Sequence, residues 1–264
     1  MPPTLAFIPA RFASSRFPGK PLIDLKGKPM IQRVWEQVRK AKGLDSVTVV
    51  TDDARIATVV RSFGGAVLMT PPTCPSGTDR IAMALRRLGR VPDEAIVVNI
   101  QGDEPLLPPA MIEQVVDLLK RSHVPMATLA RPMGPSAYFD PNAVKVLWDV
   151  QGLALYFSRT GIPFHRDHPG RAPQGLGATG KAGIGTRGPG QTLRLGVHIG
   201  LYAYRCGFLK RLAKAKPCAL EMTEKLEQLR VLDMGERIIV GFTKLQSVSV
   251  DTPQDAGRIR RLLG

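Results

Sequence analysis

The chain has 264 residues and 37 basic against 22 acidic side chains, a net charge of +15. At 44% hydrophobic and 22% charged it is composed like a folded domain with a sizeable core, which excludes wholesale disorder, and no apolar run reaches the ~18 residues of a membrane span. Three scattered cysteines, Cys74, Cys206 and Cys218, with no CxxC pair, give no support to a disulfide framework or a structural zinc site.

In chain order, Leu5–Ile8 is a short apolar run that reads as a buried strand. A Gly/Pro/Ser loop follows, and from Pro29 to about Lys42 the recurrence of Ile31, Val34, Trp35 and Val38 predicts a helix. Val47–Val50 reads as a strand, Asp53–Phe63 as a helix closed by Gly64-Gly65, and Ala66–Met69 as a strand. Thr78 to about Leu88 reads as a helix, Ala95–Ile100 as the strongest strand, Pro108–Lys120 as a helix and Met126–Ala130 as a strand. Apolar runs without polar alternation, interleaved with helices, predict an α/β fold with a mostly parallel central sheet, its strands buried on both faces. In such a sheet ligands gather at the carboxyl ends of the strands. That rule singles out the loops 9–21, 70–78 and 101–107.

The second half is less regular. Ala143–Trp148 reads as a strand, and 165–194 as one long loop with eight glycines between Gly170 and Gly190. Such a loop serves as an active-site lid or is a tolerated insertion, and composition favours the insertion. Val197–Tyr204 reads as a strand, Gly207–Ala215 and Thr223–Met234 as helices, Arg237–Phe242 and Ser247–Val250 as strands, and Pro253 onward as a closing helix. The opening Met1-Pro2-Pro3-Thr4 has neither the basic start nor the apolar stretch of a signal peptide, so the cytoplasm is the expected compartment.

The charge invites an anionic partner. Between Asp167 and Glu221 there is no acid at all, while nine Lys and Arg fall there. No basic stripe interleaved with aromatics accompanies them, so a single-strand nucleic-acid binder is not expected, and a solvated basic face is the plainer reading.

Three segments carry candidate chemistry. The loop after the first strand, Pro9 to Pro21, places Arg11, Arg16 and Lys20 among small residues. Guanidinium forks, an ammonium and approachable backbone amides are the chemistry of polyphosphate binding, although a solvated basic loop has the same letters. It is neither a Walker A motif nor GxGxxG. Gln101-Gly102-Asp103-Glu104-Pro105 follows the strongest strand, where a carboxylate can hold Mg²⁺ against phosphates or simply form an acidic turn. Asp251 ends another expected strand and, taken alone, is better explained as the N-cap of the last helix. Together, two strand-end acids and a strand-end cationic loop describe metal-assisted transfer involving a nucleoside triphosphate. Ser76, Gly77 and Thr78 open the third helix, where capping or a base and ribose can use them. His198 and Tyr202 share a strand face, but a strand histidine is more often structural, and no triad or HExxH spacing occurs.

Nine blocks in order resemble the 3-deoxy-manno-octulosonate cytidylyltransferase (CMP-Kdo synthetase) family. They are Ile8–Arg11 with Phe17–Leu22, Val49–Asp52, Ser76–Arg80, Asn99–Pro105, Pro141–Val146, Ala154–Arg159, His198–Tyr202, Leu226–Arg230 and Val250–Pro253. The resemblance implies a Rossmann-like nucleotidyltransferase of the glycosyltransferase-A type. It implies one nucleotidyltransferase domain over 1–264, with a CTP-binding half (1–131), a smaller sugar-binding and dimerisation lobe (132–250) containing the glycine-rich 165–194, and a closing segment (251–264). It further implies a homodimer that makes CMP-Kdo and pyrophosphate from CTP and Kdo for lipopolysaccharide, with neither nucleic acid nor membrane insertion. By position, Arg11, Ser14 and Lys20 would contact the triphosphate, with Pro9, Ala10 and Arg16 beside them. Ser76, Gly77, Thr78, Arg80 and Gln101 would line the cytidine pocket, and Asp103 and Asp251 would hold Mg²⁺. Arg11, Lys20, Asp103 and Asp251 would form the catalytic group. Arg159, His198, Tyr202, Glu227 and Gln228 would surround the sugar acid. The charge of +15 and the long glycine-rich stretch depart from the family pattern. The alternatives are a cytidylyltransferase for a related sugar acid (8-amino-Kdo or sialate-like) and a non-catalytic anion or nucleic-acid binder on the same fold.

Overall fold

The computed structural model describes residues 2–13, 17–173, 184–187 and 191–264. Ser14 and Arg16 therefore lie outside the described residues, as do 174–183 and 188–190 of the glycine-rich stretch. The chain divides into two compact units, Met1–Val116 with Leu201–Ala213 and Gln246–Gly264, and Asp117–Gly200 with Lys214–Leu245.

Along the chain the elements are β1 (Thr4–Ala10), a 3-10 turn (Lys20–Leu22), α1 (Met30–Val38), β2 (Ser46–Thr51), α2 (Ala54–Ser62), β3 (Ala66–Met69), α3 (Gly77–Arg87), β4 (Ile96–Asn99) and α4 (Pro109–Lys120). Then come β5 (Met126–Arg131), α5 (Pro135–Phe139), β6 (Lys145–Trp148), β7 (Ala154–Ser158), β8 (Ile184–Arg187), β9 (Gln191–Arg205), α6 (Cys206–Leu212), α7 (Ala219–Glu224), α8 (Gln228–Asp233), β10 (Ile238–Phe242) and α9 (Pro253–Leu262).

In the first unit β4, β1, β2 and β3 lie side by side and parallel, and the end of β9 adds antiparallel to β4 from Asn99↔Tyr202 to Ile96↔Arg205. The result is a mixed α/β unit with a mostly parallel sheet flanked by helices. The unbroken apolar strands predicted this, because Ala6, Phe7, Ile8, Val49, Val50, Ile96, Val97 and Val98 are all fully buried. Helix α1 turns Ile31, Val34 and Val38 into the same core. The carboxyl ends of β1 and β4 come unusually close. A Cβ on Gly102 would stand 2.7 Å from the Pro9 carbonyl oxygen, so only glycine fits between them.

In the second unit β10 pairs parallel with β5, and β6 lies between β7 and the Leu195–Val197 part of β9, antiparallel to both. Met133, Tyr138, Leu195 and Val197 form a buried cluster. Among the described residues no helix is long and apolar enough to cross a membrane.

Several expectations need correction. The stretch 165–194 is not one loop, since β8 pairs antiparallel with the start of β9 from Ile184↔Arg194 to Arg187↔Gln191. Ladder hydrogen bonds come from the backbone, so glycine-rich letters hid the pair. Strands β7 and β8 and helix α5 were not anticipated. The expected helix 223–234 is broken, because Lys225 adopts a left-handed conformation (φ 54°) that ends α7 and re-aims the chain before α8. Helix α1 stops at Val38 rather than Lys42.

Residues 247–250 form no strand. Val250 is buried with Leu25, Met30, Ala256 and Ile259, and Val248 packs on that cluster, so the apolar alternation serves α9 packing rather than sheet pairing. Nor is Asp251 the cap of α9. Thr252 caps it in a reciprocal box with Asp255, which also accepts a hydrogen bond from the Asp251 amide. The Asp251 carboxylate is thereby left for other work.

Candidate active site

Asp103 and Asp251 are far apart in sequence, and one backbone bond explains their meeting. The Val250 amide donates to the Asp103 carbonyl at 2.9 Å, which sets Asp251 beside Asp103. Lys20 is delivered from the other side. Gly19 takes a left-handed conformation (φ 72°) and its amide donates to the Phe12 carbonyl at 2.9 Å, closing the base of the cationic loop just before the Lys20–Leu22 turn. Lys20 Nζ donates to Asp103 Oδ2 at 2.7 Å and to Asp251 Oδ1 at 3.3 Å. The three side chains line a cavity of about 420 Å³ together with Pro9, Ala10, Arg11, Gly77, Gln101 and Gly102.

Helix α3 places the residues expected at the cytidine. Ser76 is its N-cap, and Ser76 Oγ accepts from the Asp79 amide at 3.1 Å. Thr78 is buried. Arg80 is completely buried, with Nη2 on Asp52 Oδ2 at 2.9 Å and Nη1 on Thr70 Oγ1, so its guanidinium braces the loop 70–78 against the end of β2. Sequence reasoning missed a second brace. The Arg55 guanidinium lies 3.3 Å from the Phe12 ring centroid while Nη2 grips Asp53 Oδ2 at 2.6 Å, holding the ring against Gly19. No local spacing pairs Phe12 with a helix that begins after β2. Glu104, within a quoted block but given no role, is pushed up to about 7 by loss of water, with the Asp103 and Asp251 charges adding to the effect.

In the second unit Arg159 ends the β7 hairpin. Its Nε donates to the Glu224 carbonyl at 2.7 Å and Nη1 to the Pro141 carbonyl at 3.0 Å, which fixes the guanidinium plane. Glu224 accepts from the Arg159 amide at 2.9 Å and from Ser158 Oγ at 2.6 Å. Beneath them the fully buried Lys145 donates to the Asp140 carbonyl at 2.8 Å and to the Arg159 carbonyl. His198 Nε2 sits 3.1 Å from Thr128 Oγ1, whose own proton is directed at the Ile199 carbonyl, so the ring is left to donate. Gln228 is buried at the start of α8, and Glu227 stands at the N-cap position without a side-chain capping bond. Tyr202 belongs to the first unit, paired with Asn99.

Residues 5–238 match the family model described as Cytidylyltransferase. The chain belongs to the cytidylyltransferase family. It is 49% identical over 258 residues to a 3-deoxy-manno-octulosonate cytidylyltransferase of Aliivibrio fischeri, covering 97% of both chains. It is 49% identical to the protein of that name from Pseudomonas syringae pv. tomato, covering 97% of this chain and 96% of the relative. A solved CMP:2-keto-3-deoxy-manno-octonic acid synthetase complexed with CTP superposes with a TM-score of 0.83 at 34% identity, covering 99% of this chain and 98% of that one. A glucose-1-phosphate thymidylyltransferase from Bacillus anthracis shares the fold alone, with a TM-score of 0.63 at 14% identity.

The cavity brings two cationic side chains, Arg11 and Lys20, together with the carboxylates of Asp103 and Asp251. One ammonium touches both carboxylates, so the two oxygens already converge on a single cationic point. Two carboxylates completed by phosphate oxygens are a donor set that suits Mg²⁺. Among the described residues no group of three or more His, Cys, Asp or Glu could hold a metal ion.

Burial pushes the His198 imidazole down to about 3. The folded protein thus keeps His198 neutral where an unfolded chain takes up a proton, below about pH 6.5. Stability is therefore expected to fall as pH drops from about 6.5 towards 3. In His198→Gln that part of the slope disappears, as read from urea midpoints at a series of pH values; an unchanged slope would show that the ring titrates normally.

Proposed function

We infer that this protein transfers CMP from CTP to 3-deoxy-D-manno-octulosonate, releasing pyrophosphate. The observation that carries the reading is the convergence of Lys20, Asp103 and Asp251 with Arg11 on one cavity at the strand ends, in a chain nearly half identical to enzymes of that name.

The sugar's anomeric 2-hydroxyl attacks the α-phosphorus in line. A sugar-oxygen–phosphorus bond forms, the bond to the β-phosphate oxygen breaks, and pyrophosphate leaves. Lys20 and Arg11 offset the negative charge that gathers on the leaving group. Ser14, Arg16, Pro9 and Ala10 complete the triphosphate side by position. Ser76, Gly77, Thr78 and Gln101 line the nucleoside side, while Arg80 acts from behind by holding their loop. Asp103 and Asp251 would hold Mg²⁺, which when bound lowers the hydroxyl's pKa and screens the α-phosphate. By the family resemblance Arg159 would meet the sugar carboxylate, and His198, Tyr202, Glu227 and Gln228 are carried over as sugar-binding candidates. No activated serine or cysteine is needed, because no covalent enzyme intermediate forms. A cytoplasmic homodimer serving lipopolysaccharide assembly fits this activity.

The test is pyrophosphate release by the purified protein with CTP, Mg²⁺ and Kdo, set beside 8-amino-Kdo and sialate. Release is expected with Kdo, and a chelator is expected to stop it until Mg²⁺ is restored. Preference for another acid would move the sugar assignment, and no release with any of them would overturn the reading.

A further inference from the structure

Asn99 is the last residue of β4 and is buried. Its carboxamide oxygen Oδ1 has no hydrogen-bond partner among the described residues. Burying an unpaired amide oxygen opposes folding, and native proteins rarely keep one without a use for it. Its surroundings indicate the use. A Cβ built on Gly77 would lie 4.0 Å from Asn99 Nδ2 and 3.4 Å from Pro9 Cγ. Gly77 and Pro9 both line the cavity that holds Lys20, Asp103 and Asp251. The absent side chain at position 77 leaves room beside the Asn99 carboxamide, whose nitrogen would lie 4.0 Å from a Cβ there; the unpaired oxygen is the other arm of the same group.

We propose that Asn99 is a further nucleotide-binding residue, whose carboxamide hydrogen-bonds through the gap at Gly77 to a group on the nucleoside of CTP that both donates and accepts. The proposal rests on the cytidylyl-transfer reading and deepens it. A carboxamide offers a donor and an acceptor side by side, whichever way the amide is turned. Two parts of the nucleoside complement it. One is the cytosine edge, where the 4-amino group adjoins N3, and the other is a ribose hydroxyl. Phosphates are acceptors only and leave the orphaned oxygen unanswered. Asn99 sits at the strand end opposite Phe7 and Tyr202, which fixes its backbone in two ladders and leaves only the side chain to adapt.

The experiment uses the full-length protein, Asn99→Leu and Gly77→Ala. Leucine has the same branched heavy-atom skeleton as asparagine without its polar atoms. Removing a buried orphan should leave the melting temperature of the nucleotide-free protein unchanged or raise it, the reverse of what loss of a structural hydrogen bond does. The KM for CTP is expected to rise about tenfold or more with kcat little changed, and the rise in melting temperature that CTP alone produces should shrink in step. Gly77→Ala introduces no contact under 3.4 Å, so it should fold and raise the KM for CTP by closing the gap. If Asn99→Leu does not fold, Asn99→Ala, which shortens the side chain and adds no volume, carries the same test.

Comparison of CTP with dCTP narrows the source. A loss for CTP alone places the contact on the 2′-hydroxyl, and an equal loss for both nucleotides excludes the 2′-hydroxyl and leaves the base edge or the 3′-hydroxyl. An unchanged KM and an unchanged CTP-induced shift in either folded variant overturn the proposal, as does a lower melting temperature of Asn99→Leu with normal CTP binding. The CTP shift needs no sugar, so a wild-type protein that binds CTP but releases no pyrophosphate would fail the transfer reading and still test Asn99.

Discussion

Asp103→Asn is expected to lower kcat by about 10²- to 10³-fold while the protein remains folded. The substitution keeps the shape of the side chain and an oxygen that can accept from Lys20, so packing at the strand end is undisturbed. What it removes is the negative charge that a divalent cation needs from a hard oxygen ligand. Lys20 keeps an acceptor at position 103 and its second carboxylate, Asp251, at 3.3 Å, so the melting temperature should stay within a few degrees of wild type. Lys20→Ala should also lose turnover, by withdrawing charge from the leaving pyrophosphate and by leaving Asp103 and Asp251 to repel each other unshielded. Steady-state pyrophosphate release and a melting curve on the same preparations check both. Near-normal turnover in Asp103→Asn would remove that residue from the chemistry. The non-catalytic binder on this fold instead predicts no turnover in the wild type and an affinity for anions that falls steeply with salt.

The parallel sheet was legible because its strands are short apolar runs buried on both faces, and periodicity reports burial. The loops at the strand ends followed from the sheet, and the cations of one and the acid of another were visible as letters. What no local pattern contains is Asp251. Its neighbours Val248 and Val250 alternate like a strand, and Asp-Thr-Pro looks like a cap. The displacement of the cap to Thr252 and the bond from Val250 to Asp103 are decided by tertiary packing against Leu25 and Met30. The resemblance to a family supplied that pairing before the geometry did. The broken helix at Lys225 escaped for a related reason. Leu226, Leu229 and Leu232 keep a helical spacing right up to the break, while a left-handed lysine has no signature in the sequence. Asn99 was quoted in a matched block without a role, because an unpaired atom is recognisable only once its surroundings are known.

Asp52→Ala is expected to cost about 3–5 kcal/mol, since it strands a guanidinium that cannot reach water. Arg80 is fully buried and Asp52 is its carboxylate partner at 2.9 Å. At about 2–4 °C per kcal/mol for a protein of this size, the melting temperature should fall by roughly 10 °C. Arg80→Met should cost less, because it leaves Asp52, which keeps 17% exposure, in contact with water and fills the vacated space with an apolar chain of similar length. The two variants also differ in what they do to CTP. Thr70 donates through its amide to the Thr51 carbonyl at 2.8 Å and its hydroxyl receives Arg80, so the chain Thr51–Thr70–Arg80–Asp52 closes the loop 70–78 onto the end of β2. With Arg80 removed, Thr70 keeps its backbone bond to Thr51, but Ser76 and Gly77 lose the brace behind them. The KM for CTP in Arg80→Met should therefore rise several-fold at a temperature where the variant is fully folded. An Arg80→Met enzyme with normal KM and an Asp52→Ala enzyme with normal melting would together show that the buried ion pair neither supports the fold nor positions the nucleotide loop.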